Sequence, residues 1–144
     1  MANPTDSLAA VSQELYDYLD YGKGVLGIQR VWYDIDDMVP TTPAILVEPG
    51  DKSREISNTG HMVINTFQVN VILLHSRMAS KSETNDEALT LAEEVESYLH
   101  DNKTLNGLII HGYVSKLEQG SVAQQKVLLR ATRLLWQGMS KTRI

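Results

Sequence analysis

The stretch TNDEALTLAEEVESYLHDN, residues 84–102, decides how this chain reads. Thr84-Asn85-Asp86-Glu87 has the form of a capping box, a hydroxyl for the orphan amides of a helix start and a Glu three residues on. Ala88, Leu91, Ala92, Val95, Tyr98 and Leu99 then recur at helical spacing, with Glu93, Glu94 and Glu96 on the other side. The spacing predicts an amphipathic helix over Asn85 to Asp101. Downstream, Thr104-Leu105-Asn106-Gly107 predicts a turn, and Leu108 to Leu117 and Lys126 to Trp136 read as strands. The last of these carries Val127, Leu129 and Ala131 on one parity and Leu128, Leu134 and Trp136 on the other. A strand apolar on both sides is either central in its sheet or covered by another chain.

Upstream, Leu8, Val11, Leu15, Tyr18 and Leu19 form the stripe of a helix from an Asp6 or Ser7 cap to about Asp20, ended by a Gly22 to Gly27 loop. Tyr16, Tyr18 and Tyr21 either make an interface patch or roof a core. Ile28 to Tyr33 reads as a strand, followed by an acidic loop through Asp34, Asp36, Asp37 and Pro40. Ala44 to Glu48 is a short strand closed by a Pro49-Gly50-Asp51 turn, and Lys52 to Ser57 pairs across Asn58-Thr59-Gly60 with a strand from Met62 to His75. At ~3.3 Å per residue that second arm is long enough to bend or to project onto a partner. Ser76 to Glu83 is a polar loop. The expected architecture is α+β: a mostly antiparallel four- to five-stranded sheet with at least two helices packed on it, in the order α-β-β-β-β-α-β-β.

The 144 residues suit a single domain over 1–144, with 139–144 expected as a flexible C-terminal tail. No run of 18 apolar residues is present to span a membrane, and Met1 to Asp6 lacks the basic and apolar regions of a signal peptide. The absence of cysteine excludes disulfides and thiolate metal sites and suits a reducing cytoplasm. Net charge is -5, unevenly placed: residues 1–72 hold 4 Lys and Arg against 10 Asp and Glu, and residues 73–144 hold 9 against 8. After Glu118 only Lys126, Arg130, Arg133, Lys141 and Arg143 are charged. This basic end reads as solvated strand charge, as a surface meeting the acidic part of a neighbouring copy, or as a patch for nucleic acid.

Motifs for chemistry dissolve on inspection. Gly22-Lys23-Gly24-Val25-Leu26-Gly27 matches G-x-G-x-x-G, but a helix precedes it and a strand follows, the reverse of the dinucleotide context. Asp34, Asp36 and Asp37 begin like a calcium loop, yet Val39 and Ile45 stand where its Gly and closing Glu belong. His61, His75, His100 and His111 show no i, i+4 pair and no companion cysteine, which argues against zinc; His75 and His111 read as structural strand residues. Glu93 and Glu94 sit on the polar side of a helix, not in a sequestered site suited to acid–base work. No catalytic residue, cofactor site or metal site is expected, and the chain reads as a non-enzyme.

The order of elements resembles the tail terminator, or tail completion, proteins that join tail to head in long-tailed bacteriophages. The resemblance rests on the Pro43-Ala44-Ile45-Leu46-Val47-Glu48-Pro49-Gly50 strand and turn, the Met62 to His75 strand, the Asn85 to Asp101 helix, the Leu105-Asn106-Gly107 turn and the final strand pair, about 100 of the 144 residues. It implies a homohexameric ring at the tail–neck junction of the virion. Such a ring caps the tail tube, stops its polymerisation, meets the head-completion or connector protein, and lets DNA pass through its lumen without sequence-specific binding. The alternatives are a head-completion or connector (neck) protein on the portal side, and a small phosphate- or nucleotide-binding domain using the Gly22 to Gly27 loop. Expected contact positions are Asp51, Lys52 and Arg54, then Arg77 and Lys81, with Arg130, Arg133 and Trp136 at the subunit seam; for Trp136 the other reading is packing within its own domain.

Overall fold

Ser7 opens the first helix, its hydroxyl accepting the Ala10 N–H at 3.2 Å. The computed structural model describes residues 7–33, 43–56, 60–77, 83–124 and 127–143. Its elements are α1 (Leu8–Leu26), β1 (Arg30–Tyr33), β2 (Ala44–Ile56), β3 (Met62–Arg77), α2 (Glu83–His100), β4 (His111–Gln124) and β5 (Val127–Arg143). The fold is α+β, as expected, but the five-stranded sheet is mixed, in the order β1-β2-β3-β5-β4. β1 runs parallel to β2, starting where the Gln29 N–H donates to the Pro43 carbonyl at 2.7 Å; the other three pairings are antiparallel. Alternation of apolar and polar residues is the same in either direction, so the pattern in Arg30–Tyr33 carries no information on strand sense.

Three further expectations are corrected. Ala44 to Glu48 and Lys52 to Ile56 are one strand, because Pro49-Gly50-Asp51 is a bulge and not a turn. Gly50 lies so close to β3 that a Cβ there would sit 2.6 Å from the Gln68 carbonyl oxygen, and Pro49 occupies a place where a lost donor is tolerated. β3 is no projecting arm: it lies between β2 and β5 and is paired with both along most of its 16 residues. Met139 to Arg143 is no free tail either, since β5 stays paired with β3 as far as Met62↔Arg143. The β2–β3 hairpin itself holds, with Ile56 opposite Val63; its loop residues 57–59 lie outside the described residues, as does the acidic loop of Asp34, Asp36 and Asp37.

α1 continues through Gly22 and Gly24, past the expected end at Asp20. It stops at Gly27, which takes the left-handed conformation (φ 74°) and lets the Ile28 N–H close back onto the Lys23 carbonyl at 2.8 Å. The glycine stretch is thus the carbonyl end of a helix. That end carries partial negative charge and repels phosphate, so the nucleotide-loop reading falls. α2 matches its expected span to within two residues. The side chains of Thr84 and Asp86 in the capping box lie outside the described residues. The turn at Leu105, Asn106 and Gly107 is present as three residues of positive φ (46°, 60° and 88°). Thr104 and Asn102 side chains accept the Gly107 and Asn106 N–H groups, and the Leu105 side chain, 1% exposed, packs in the core and offsets the strain.

Both helices pack on one face of the sheet. Val11, Leu15 and Leu19 of α1 and Ala92, Val95 and Leu99 of α2 meet Val47, Phe67, Val69, Val71, Leu73, Leu134 and Trp136. The opposite face carries no described helix. There Ala44, Leu46, Leu74, Leu129 and Ala131, with Trp32 and Ile72, form a second, smaller cluster. β5 is therefore apolar on both sides because it is an interior strand with a use for each face.

Candidate functional site

The expected contact residues do not converge. Asp51 lies in the β2 bulge and Lys52 and Arg54 follow it, Asp51 and Arg54 exposed and Lys52 half-buried. Arg77 ends β3, with its side chain outside the described residues, and Lys81 lies outside them altogether. Arg130 is half-buried on the helix-covered face of β5, and Arg133 is exposed on the opposite face, two strands from β2.

Trp136 is corrected from seam to core: it is 1% exposed. Its indole fills a bay over Gly112 and Gly138, which are register partners on β4 and β5, with Ile109 beside it. A Cβ on either glycine would overlap the indole ring.

The groups with displaced titration each have a local structural cause. His75, 8% exposed, shares a 2.9 Å hydrogen bond between its Nε2 and the Thr132 hydroxyl. Burial, and next the Arg130 guanidinium, lower its pKa to about 4. Burial first, then Tyr98 and Asp101, push the Tyr18 hydroxyl up to about 12. The Tyr98 hydroxyl is also raised, by burial first, with Tyr21 and Asp101 adding to the effect. Glu118 is held below its ordinary value by hydrogen bonds from Lys116 and then Arg133. Lys116 Nζ lies 2.8 Å from the Glu118 carboxylate, and the Arg133 guanidinium grips its other oxygen.

A cleft of about 510 Å³ runs between α1 and edge strand β1. It is lined by Tyr16 and Tyr33, which meet edge to face at 5.7 Å, by the Asp20–Lys23 pair at 3.0 Å, and by Arg30, whose guanidinium stacks 4.2 Å over Trp32. None of the four displaced groups lines it. A second, more open groove of about 390 Å³ follows α2, lined by Glu93, Glu94, Ser97, Tyr98 and Asp101 with Leu26 of α1. Among the described residues no three His, Asp or Glu side chains cluster as metal ligands, and no helix is long and apolar enough to cross a membrane.

What the fold does assemble is a division of charge between layers. α1 carries Glu14, Asp17 and Asp20 against Lys23, and α2 carries Glu83, Asp86, Glu87, Glu93, Glu94 and Glu96 with no Lys or Arg. β5 carries Arg130, Arg133, Lys141 and Arg143 with no acid, and β4 adds Lys116 beside Glu118. In linear sequence α2 belongs to the half that is nearly neutral, so counting charge by halves hides this arrangement. The helical spacing of Glu93, Glu94 and Glu96 was the signal for it.

No protein-family model matches the chain, and no curated protein is similar to it in sequence.

Proposed function

We propose that this chain is a virion assembly protein of a long-tailed bacteriophage, a tail terminator whose copies close into a hexameric ring on the end of the tail tube. The observation that supports this reading most is the run from β2 to β5. A strand marked by Pro49-Gly50, a long strand, one amphipathic helix, a left-handed turn at Leu105-Asn106-Gly107 and a closing strand pair follow in the order on which the resemblance rests. The mechanism is geometric. Copies associate head to tail until the ring closes, one face of the ring matches the tube, and the other presents a different surface to the head-completion protein. An acidic net charge of -5 keeps the lumen from trapping the phosphate backbone as DNA passes.

The test is solution mass by light scattering across a concentration series, with negative-stain imaging of any large species. Six-fold rings, alone or on adding tail-tube protein, are the expected result. A monomer at every concentration that ignores tube protein overturns the proposal. Rings that bind portal-side protein and not the tube move the chain to the head-completion class.

A further inference from the structure

We infer that the subunit seam joins opposite faces of the domain: the acidic helix layer of one copy seats against the β4–β5 half of the sheet face that carries no described helix in the next. This inference rests on the ring reading above and names its contact surfaces.

On the helix layer, the groove beside α2 is lined by the exposed Glu93, Glu94 and Asp101. At its margin stand Tyr21 and Val25 of α1, 89% and 90% exposed. Tyr21 lies near enough to Tyr98 to act on its hydroxyl, and Val25 adjoins Leu26, which lines the groove. These two are the most exposed of the large apolar side chains described, one helical turn apart on the layer that carries those carboxylates.

On the other face of the sheet, register places Lys116 and Arg133 near each other on β4 and β5, with Lys141 on the same face farther along β5, opposite Ile64 of β3, all three exposed. Glu118 is taken up between Lys116 and Arg133, so the strip remains positive. Half-buried Leu135 and Met139 lie between the charges and offer apolar ground. Glu48 and Glu55 also belong to this face, on β2: Glu48 lies three strands from Lys116 in its row and Glu55 two strands from Lys141, so the positive surface lies toward β4.

The occupant is a second copy because each surface carries what the other lacks: carboxylates with an apolar knob, and cations with an apolar floor. The two surfaces lie on opposite sides of one sheet, so no two-fold axis can satisfy both in a pair. Each pairing leaves one surface of either kind open, and addition continues until a ring closes or a filament grows.

Charge-swap variants test this, with tail-tube protein present where the wild-type ring needs it. Glu93→Lys with Glu94→Lys, and separately Lys116→Glu with Lys141→Glu, should each raise the concentration needed for assembly at least ~10-fold while leaving monomer circular dichroism unchanged. Mixing the two variants, or combining all four changes in one chain, should restore assembly, because lysine then faces glutamate at the seam. Tyr21→Ser with Val25→Ser should weaken assembly without changing charge. Rings that persist in the helix variant, or single variants that fail without rescue on mixing, overturn the seam and leave the ring reading standing. A wild-type chain that never self-associates overturns both.

Discussion

Tyr18 on α1 and Tyr98 on α2 hold each other's backbone. The Tyr18 hydroxyl donates to the Tyr98 carbonyl at 2.6 Å, and the Tyr98 hydroxyl donates to the Tyr18 carbonyl at 2.9 Å. Between these bonds the rings stack at 4.2 Å and 9°. The clasp ties two helices 80 residues apart in sequence and satisfies two carbonyls a second time. It also explains Gly22 within α1, since a Cβ there would overlap the Tyr98 ring end.

Tyr98→Phe removes one of the reciprocal bonds and should cost about 1 kcal/mol. Gly22→Ala should gain ~1 kcal/mol from helix propensity alone, but here it displaces the ring and should destabilise instead. In a Tyr98→Ala background the sign should reverse. Urea unfolding of the four proteins in the cycle measures the coupling; additive effects would show that the ring does not depend on the glycine.

His75 makes stability depend on acid pH. Its native pKa of about 4 lies below the ordinary 6.5, so the unfolded chain takes up the proton first as pH falls. The stabilisation by the neutral ring is whole above pH 6.5, declines through the interval, and is gone below about pH 4. Its full size is ~3 kcal/mol. His75→Gln should lower stability at pH 7.5 and flatten the change between pH 7 and pH 4.5, read by denaturant midpoints at each pH. An unchanged slope would exclude His75 as its source.

Trp136→Ala should cost about 3–5 kcal/mol, the cost of emptying a large core site. Gly138→Ala should also destabilise, by about 1–3 kcal/mol, because the indole has no room to yield. Both losses should be independent of protein concentration in the monomer range. A midpoint that moves with concentration would return Trp136 to an interface.

Gly27→Ala should cost about 1 kcal/mol through the left-handed backbone alone, because a Cβ there meets nothing within 4 Å. Gly24→Ala, in open space within the same helix, should stabilise by about as much. Thermal melts of the two variants give opposite shifts if the helix ends where Gly27 caps it.

Much of the fold was legible because local patterns have local causes. The α2 stripe, the Ser7 cap, the Leu105-Asn106-Gly107 turn and the β2–β3 hairpin rest on interactions within a few residues, and each was found where the pattern put it. The misreadings share one kind of cause. Pro49-Gly50 and Gly22-Lys23-Gly24 are punctuation in sequence, yet one is a bulge held by β3 and the other a helix interior covered by Tyr98. In both, a neighbour distant in sequence supplies the contact that overrides the local signal. Of the expected contact residues, Arg133 keeps an exposed place on the sheet, while Trp136 was misplaced because an apolar strand end reads the same whether its cover is this chain or another.

By itself the sequence determined the α+β class, both helices, the existence of the long strand from Met62 and the acidity of α2, since composition and periodicity act through short-range geometry. Only the tertiary structure decided the mixed strand order, the burial of Trp136 over two glycines, the Tyr18–Tyr98 clasp and the separation of charge into an acidic helix layer and a basic strand pair. Those depend on which elements become neighbours, and neighbours are chosen by packing across the whole chain rather than by any one segment of it.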